Sequence, residues 1–539
     1  MLKLSTASSL EKIFDGIPFE SECCGSMLKN ERYHFQIRVE NLEKHAVLCK
    51  VSTKGAIPSS AVNIRLVKDV PATLTMNEEH DDYILFPLGK DARNYPDVLV
   101  PFDGTLILDA GQAATLWITI FEKDGLACGG KQEFAFETEN GIQSISYDIE
   151  VIDQFLPESD LIFTNWMHYD AICQYYSVPA FSTEFYAIFD SFLDKAVSHG
   201  INMLYTPLFT PPIDTAVNAE RMTIQLVDVK VQGKKYTFGF EKLDKFIDFA
   251  LSKGIKYIEM SHLCTQWGAL SCPKIIADVD GEHKRIFGWD TPSDGKEYTE
   301  FLQAFLPELT GFLRSKGIED RCKFHISDEP PKDEIEVFNK VFATVKPLLN
   351  GFELMDAYDS SQDAPSDIAV ISITQLGKEE NEPWVYYCCT AGHEYLPNRF
   401  LNMPSERNRI LGAITYLKDV KGFLHWGYNF YNTRLSTRPL DPFVETDAGQ
   451  GFPAGDSFVV YPGKDGAWDS LRHEVFYDGL QDRMALKLLE QRIGRSAVEK
   501  FLIDMGIKGY KDYPRCDKWH KKFRNTLNEL LKATNEALN

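Results

Sequence analysis

The chain has 539 residues, with 57 Lys and Arg against 79 Asp and Glu, a formal charge of −22. That length exceeds one ordinary core and predicts two or three domains. The acidic balance argues against nucleic acid or an anionic membrane surface as the main partner, and 44% hydrophobic with 12% aromatic residues is a globular composition.

The opening stretch "MLKLSTASSLEKIFDG" has no apolar run long enough for a signal-peptide core. No stretch of about 18 apolar residues suits a transmembrane helix, so a cytoplasmic protein without a membrane partner is expected. Residues 1–156 then alternate with period two in "YHFQIRVE", "VNIRLVKDV", "DDYILFP" (81–87), "TLILDAG", "ATLWITIFE" and "EFAFETENGIQSISYDIEVID". Turn clusters such as "TKGAIPSS", "KDGLACGG" and "ENG" separate them. The segment predicts an antiparallel β-sandwich domain of about seven or eight strands. It holds one of the eight tryptophans and no cluster of catalytic groups, which suits a structural or docking module.

From 157 to 539 the pattern changes to strand, loop, helix. Apolar runs stand at "LIFTNWMHYD" (161–170), "INMLYTPLF" (201–209), "KYIEMSHL" (256–263) and "CKFHISDEP" (322–330). Four more follow at "FELMDAYD" (352–359), "IAVISIT" (368–374), "WVYYCCT" (384–390) and "GFLHWGYNFY" (422–431). Helical stretches such as "TEFYAIFDSFLDKAVSHG" and "EKLDKFIDFALSKG" end on a Gly cap. Eight strands alternating with helices predict a (β/α)8 TIM-like barrel. Only residues 360–367 and 375–383 separate strands five to seven, too few for ordinary crossovers, so a distortion is expected there. The stretch 470–494 reads as a closing helix, with extra C-terminal helices over 496–537.

Polar groups gather at the C-terminal ends of these strands, where barrel enzymes keep their sites. Strand one ends in Trp166, His168 and Asp170, and strand three leads to His262, Gln266 and Trp267. Strand four ends in Asp328 and Glu329, strand five in Asp356 and Asp359. Asn398 and Arg399 follow strand seven; strand eight carries His425, Trp426, Tyr428 and Asn429. Each has a plainer reading: Asp328 could cap the next helix, either tryptophan could be core, and the histidines could be hydrogen-bonded structural groups. Convergence from separate strands favours chemistry.

No metal and no cofactor are expected. Strand one offers a single His rather than H-x-H, no H-E-x-x-H occurs, and neither phosphate-binding glycine motif follows a strand. The eleven cysteines contain no C-x-x-C, and Cys23–Cys24 and Cys388–Cys389 are vicinal, which suits reduced thiols.

Adjacent carboxylates in regular β geometry point to opposite faces, so Asp328 and Glu329 can serve one sugar only if the backbone turns. Pro330 and Pro331 suggest that turn. Ordinary glycosidases take their two carboxyls from different strands, whereas adjacency suits a substrate-assisted reaction. There Glu329 protonates the leaving oxygen, the substrate's 2-acetamido carbonyl attacks, and Asp328 orients the amide and stabilises the oxazolinium. Like charges close together also raise one pKa, keeping an acid protonated near neutrality.

The barrel half resembles the domain of unknown function 4091 group, related to glycoside hydrolase family 123. The matching stretches are "TPPIDTAVNAERMTIQLVDV", "SHLCTQWGA", "FHISDEPP", "PNRFLNMPSERNRILG", "GFLHWGYNFYN" and "GDSFVVYPGKDG…SLRHEV". They span roughly residues 160–480. The resemblance implies a β-N-acetylgalactosaminidase acting by the substrate-assisted route on a small oligosaccharide or glycoconjugate-derived glycan. It places the family's Asp-Glu pair on Asp328 and Glu329, its sugar-floor tryptophan on Trp426, and its N-R-F stretch on Asn398 and Arg399. His168, Gln266, Trp267, Asp356, Tyr387 and Asn429 match in motif position and are expected to bind substrate. Two alternatives stay open. One is a glycosidase for another sugar, such as a β-N-acetylglucosaminide or a non-acetamido glycoside, with a second protein carboxylate such as Asp356. The other is a non-catalytic glycan-binding protein.

Overall fold

The computed structural model describes residues 1–72, 93–331, 335–358, 365–376 and 382–536. In the strand Tyr33–Asn41, Phe35, Ile37 and Val39 point into an apolar core and are fully buried. The intervening His34, Gln36 and Arg38 are buried too, because this strand lies between the sandwich core and the rest of the molecule. Two five-stranded sheets form the sandwich. One orders Leu2–Ser8, Tyr33–Asn41, Ala113–Ile120, Val62–Ala72 and Arg93–Pro101, all antiparallel. The other orders Cys24–Leu28, Gly141–Ile152, Gly130–Thr138, Val47–Gly55 and Thr105–Leu108, with Cys24–Leu28 parallel to its neighbour. The described strands exceed the expected seven or eight because Leu2–Ser8 and Cys24–Leu28 show little alternation in sequence; the strand expected at 81–87 lies outside the described residues. Trp117, the tryptophan of this region, packs fully buried against Leu471 and Val475. It joins the sandwich to the following part.

Eight parallel strands then close into a barrel in chain order: Ile162–Asn165, Met203–Thr206, Tyr257–Met260, Cys322–Phe324, Glu353–Tyr358, Ile368–Ser372, Trp384–Tyr386 and Gly422–His425. The first pairs with the eighth from Ile162↔Gly422 to Asn165↔His425. Helices α1 (Tyr169–Tyr176) and α2 (Thr183–Ser198) link strands one and two, and α3 (Glu241–Ser252), α4 (Lys296–Ser315) and α5 (Ile335–Leu349) the next three pairs. The pieces α6 (Ser405–Arg409) and α7 (Leu411–Leu417) link strands seven and eight. Between strands five and seven the described residues contain only the 3-10 turn Ile373–Gln375, because those links are too short for a crossover helix. The expected eight-stranded parallel barrel is present, and among the described residues no α-helix stands between strands five and seven. A four-stranded sheet of Asp228–Gln232, Lys235–Gly239, Ile275–Val279 and Glu282–Phe287, built from the loops after strands two and three, was not expected.

Local sequence accounts for the helices. In α2 the Ser182 hydroxyl accepts the Phe185 N–H at 3.1 Å, capping the start. Phe185, Phe189, Phe192, Leu193 and Ala196 make its buried stripe, and Gly200 at φ +89° lets the chain turn away. Helix α8 (Leu471–Ile493) differs, for its polar residues are buried as well as its apolar ones. It is clamped to the sandwich by ion pairs. Arg65 donates to Asp469 at 2.8 Å and to Glu474 at 2.5 Å, and His34 pairs with Asp478 at 2.8 Å. All eleven cysteines are free, and no described helix is long and apolar enough to cross a membrane.

Arg472 on α8 is the densest of these links. Its guanidinium donates to Asp97 of the sandwich at 3.1 Å, and to the carbonyls of Arg399, Gly455 and Phe458 at 3.1, 2.6 and 3.0 Å. Arg472→Met leaves Asp97 buried without its cation, beside the Tyr461 hydroxyl and the backbone N–H of residue 472. Stability should fall by about 3–5 kcal/mol, because an uncompensated buried charge is costly. Urea unfolding checks this, and adding Asp97→Asn should recover part of the loss.

Candidate functional site

The loop after strand four is held before its acids are reached. Asp356 Oδ1 accepts the N–H groups of Ile326 at 2.7 Å and Ser327 at 3.2 Å. The Ser327 hydroxyl donates to Thr265 O at 2.8 Å, and Trp267 N–H donates to Asp328 O at 2.8 Å. Glu329 sits at φ +43°, in the left-handed region that a side chain occupies only under constraint. That turn breaks strand alternation and lets both neighbouring acids line one cleft.

The cleft lies at the C-terminal mouth of the barrel, a small cavity of about 100 Å³. Trp166, Ile213, Leu424, Trp426 and Phe452 form apolar walls, while Asp214, Gln266, Asp328 and Glu329 add polar groups. From strand seven, Tyr386 donates its hydroxyl to Glu329 Oε1. Beneath the acids, Glu259 takes the Trp166 indole N–H at 2.7 Å and meets His325 Nε2 at 2.7 Å.

Burial, then the neighbouring Glu329, pushes the Asp328 carboxyl well above the ordinary range. His325 pulls it the other way and Asp356 and Asp214 add to the rise. Burial itself disfavours charge on His325, but the neighbouring Asp356 and Glu259 carboxylates outweigh that and raise it to about 9. A buried imidazolium thus lies under a carboxyl pair that repels a second negative charge.

Of the residues expected at the site, Asp328, Glu329, Gln266, Trp267 and Trp426 line the cleft. The other six sit behind it. His168 is buried, with Nε2 at 3.0 Å from Trp426 O; burial and Arg221 lower it to about 3, so it is neutral. Asn429 exchanges hydrogen bonds with the His168 backbone at 2.8 and 3.1 Å. Asn398 donates to the carbonyls of Cys388 at 2.9 Å and Ala391 at 3.0 Å, and Arg399 to Gly427 O at 3.2 Å. Asp356 spends Oδ1 on the strand-four loop and Oδ2 on the Ser366 hydroxyl at 2.6 Å. Tyr387 packs outside the barrel on Phe423 at 5.0 Å; alternation turns Tyr386, one residue earlier, toward the cleft. These six brace the walls, where contact with substrate was expected. Asp359 lies outside the described residues.

Three groups went unread in the sequence. Tyr386 lies on a strand of three residues, too short to show which of the two tyrosines faces inward. Asp456, whose Oδ2 accepts the Trp426 indole N–H at 3.0 Å, sat in a matching stretch without a role. Asp214 likewise sat in a matching stretch, in a loop without periodicity. As for metals, His199, Asp469 and His473 bring ligand atoms within 4.8 Å of one another. They lie on the sandwich side of α8, and Asp469 Oδ2 already takes Arg65 at 2.8 Å and Lys195 at 2.7 Å. Those two cations oppose a further one.

A family model described as glycoside hydrolase 123, catalytic domain, matches residues 166–489. Among solved structures, a family 123 glycoside hydrolase from Clostridium perfringens, described in terms of glycolipid glycan hydrolysis, aligns with a TM-score of 0.75 at 14% identity. The alignment covers 99% of this chain and 98% of that one, and at such identity it shows the fold alone. A FixG-related protein from Vibrio parahaemolyticus aligns at a TM-score of 0.15 and 9% identity, over 29% of this chain and 97% of that one, and carries no argument. No curated protein matches.

Proposed function

The chain belongs to glycoside hydrolase family 123, and on that premise we propose that it is a retaining exo-β-N-acetylgalactosaminidase using substrate-assisted catalysis. The observation that carries this reading is the side-by-side placement of Asp328 and Glu329 in one cleft. Glu329 gives its proton to the glycosidic oxygen as the acetamido carbonyl oxygen bonds to the anomeric carbon and the leaving alcohol departs. Asp328 accepts the amide N–H and stabilises the positive charge of the oxazolinium. Water then attacks the same carbon, its proton returns to Glu329, and the ring opens with the configuration retained.

The acids share one proton in this reading. In the free cleft, Asp328 is the group pushed toward the neutral form; donation from the bound amide N–H favours its anion and leaves the proton to Glu329. The Tyr386 hydroxyl holds Glu329, and Trp426 and Trp166 give the sugar an apolar floor. We assign catalysis to residues 157–539 and bracing to the sandwich, 1–156. The natural substrate is read as a short glycan met in the cytoplasm.

A panel of aryl β-glycosides tests this. N-acetylgalactosaminide should be cleaved fastest, and plain galactoside on the order of 10,000-fold or more slower, since it lacks the internal nucleophile. Comparable cleavage of the galactoside would favour a protein nucleophile. Binding of glycans with no cleavage of any member would favour the non-catalytic reading.

A further inference from the structure

The loop after the second barrel strand carries an acid that the chemistry above leaves unused. Asp214 is 5% exposed and lines the same cleft as Asp328 and Glu329. It is pinned by two distant loops. Its N–H donates to Gln266 Oε1, its carbonyl accepts the Ser436 hydroxyl at 2.7 Å, and its Oδ2 accepts the Leu435 N–H at 2.8 Å. Asp214, Leu435 and Ser436 all hold left-handed φ values, of 44°, 60° and 53°, so the fold tolerates unfavourable backbone to keep this carboxylate in place.

The other carboxylate oxygen, Oδ1, receives no hydrogen bond from the described residues. Burial raises the carboxyl to about 6, against the Leu435 N–H, Arg221 and Arg434, so the anion prevails above that pH. Elsewhere in the cleft Gln266 Oε1 holds the Asp214 N–H and Glu329 takes the Tyr386 hydroxyl, while Asp328 is the acceptor assigned above to the acetamido N–H. A sugar ring presents hydroxyl donors, and a fixed, water-poor carboxylate oxygen is their strongest partner. We propose that Asp214 is the specificity-determining residue that accepts a hydrogen bond from one ring hydroxyl of the sugar at the cleavage point. The assignment rests on the glycosidase reading of this cleft and adds to it how the ring is selected.

A monodeoxy series tests it. Wild type, Asp214→Asn and Asp214→Ala are assayed on an aryl β-N-acetylgalactosaminide and on its 3-, 4- and 6-deoxy forms. If wild type prefers another glycoside, that parent and its deoxy forms are used, so the sugar assignment can fail while Asp214 is still tested. In wild type, one of the three deletions should lower kcat/KM by roughly 10- to 100-fold, the value of a hydrogen bond to a charged group. The variants should lose a similar factor on the parent and show no further loss at that position. Equal, small losses at all three positions in wild type would overturn the proposal, whether or not the variants fold. So would variants that keep the full wild-type deoxy profile, or a 2-fluoro sugar trapped on Asp214, which would make it the nucleophile.

Discussion

Glu329→Gln should lower kcat/KM by roughly 100- to 10,000-fold on glycosides with poor leaving groups, the usual contribution of a positioned acid. An activated aryl leaving group needs little protonation, so its loss should be much smaller. Asp328→Asn should behave differently. It keeps the side-chain shape but removes the charge that orients the amide and stabilises the oxazolinium, and ring closure is required whatever leaves. The loss should therefore be severe with activated substrates too. The pH profiles should separate the variants further. Asp328 and Glu329 repel each other's charge, and like charge favours the protonated form. Removing the Asp328 charge therefore moves the alkaline limb of activity to lower pH, as Glu329 gives up its proton more readily. Leaving-group series for both variants check this. The same dependence in each would contradict the division of labour.

Much of this site follows from local pattern, and the remainder from contacts that no local pattern encodes. The barrel strands stood out because short apolar runs end in turn residues. The run at 201–209, for example, contains the strand Met203–Thr206. The adjacent acids could be placed in one cleft because two prolines follow them, and Glu329 does turn, at φ +43°. Polar residues at strand ends were harder. Asn398 and Asp356 look like ligand-binding groups in sequence, yet their atoms are consumed by loop backbone and by Ser366. Asp214 is the converse. Its position is set by Gln266 and Leu435, 52 and 221 residues away along the chain, and no periodicity reports such pairings. Tyr387 shows a third limit. A three-residue strand, Trp384–Tyr386, is too short for its parity to be read with assurance, and the inward tyrosine is its neighbour.

The central claim is that the substrate supplies its own nucleophile, and fluorination of its acetyl group addresses that directly. Each fluorine withdraws electrons from the amide carbonyl and weakens its attack on the anomeric carbon, while the ring, the leaving group and the protein's own groups stay the same. Well-oriented intramolecular attack lowers a barrier by on the order of 7–11 kcal/mol, so blunting the nucleophile acts on the largest single contribution. The measurement is kcat/KM for aryl N-acetylgalactosaminides carrying zero to three fluorines on the acetyl methyl. A steep, progressive fall is expected, to about 1,000-fold or more for the trifluoroacetyl sugar, a change of about 4 kcal/mol in the barrier. Rates that stay level across the series would contradict the account, because a nucleophile provided by the protein does not feel the acetyl group.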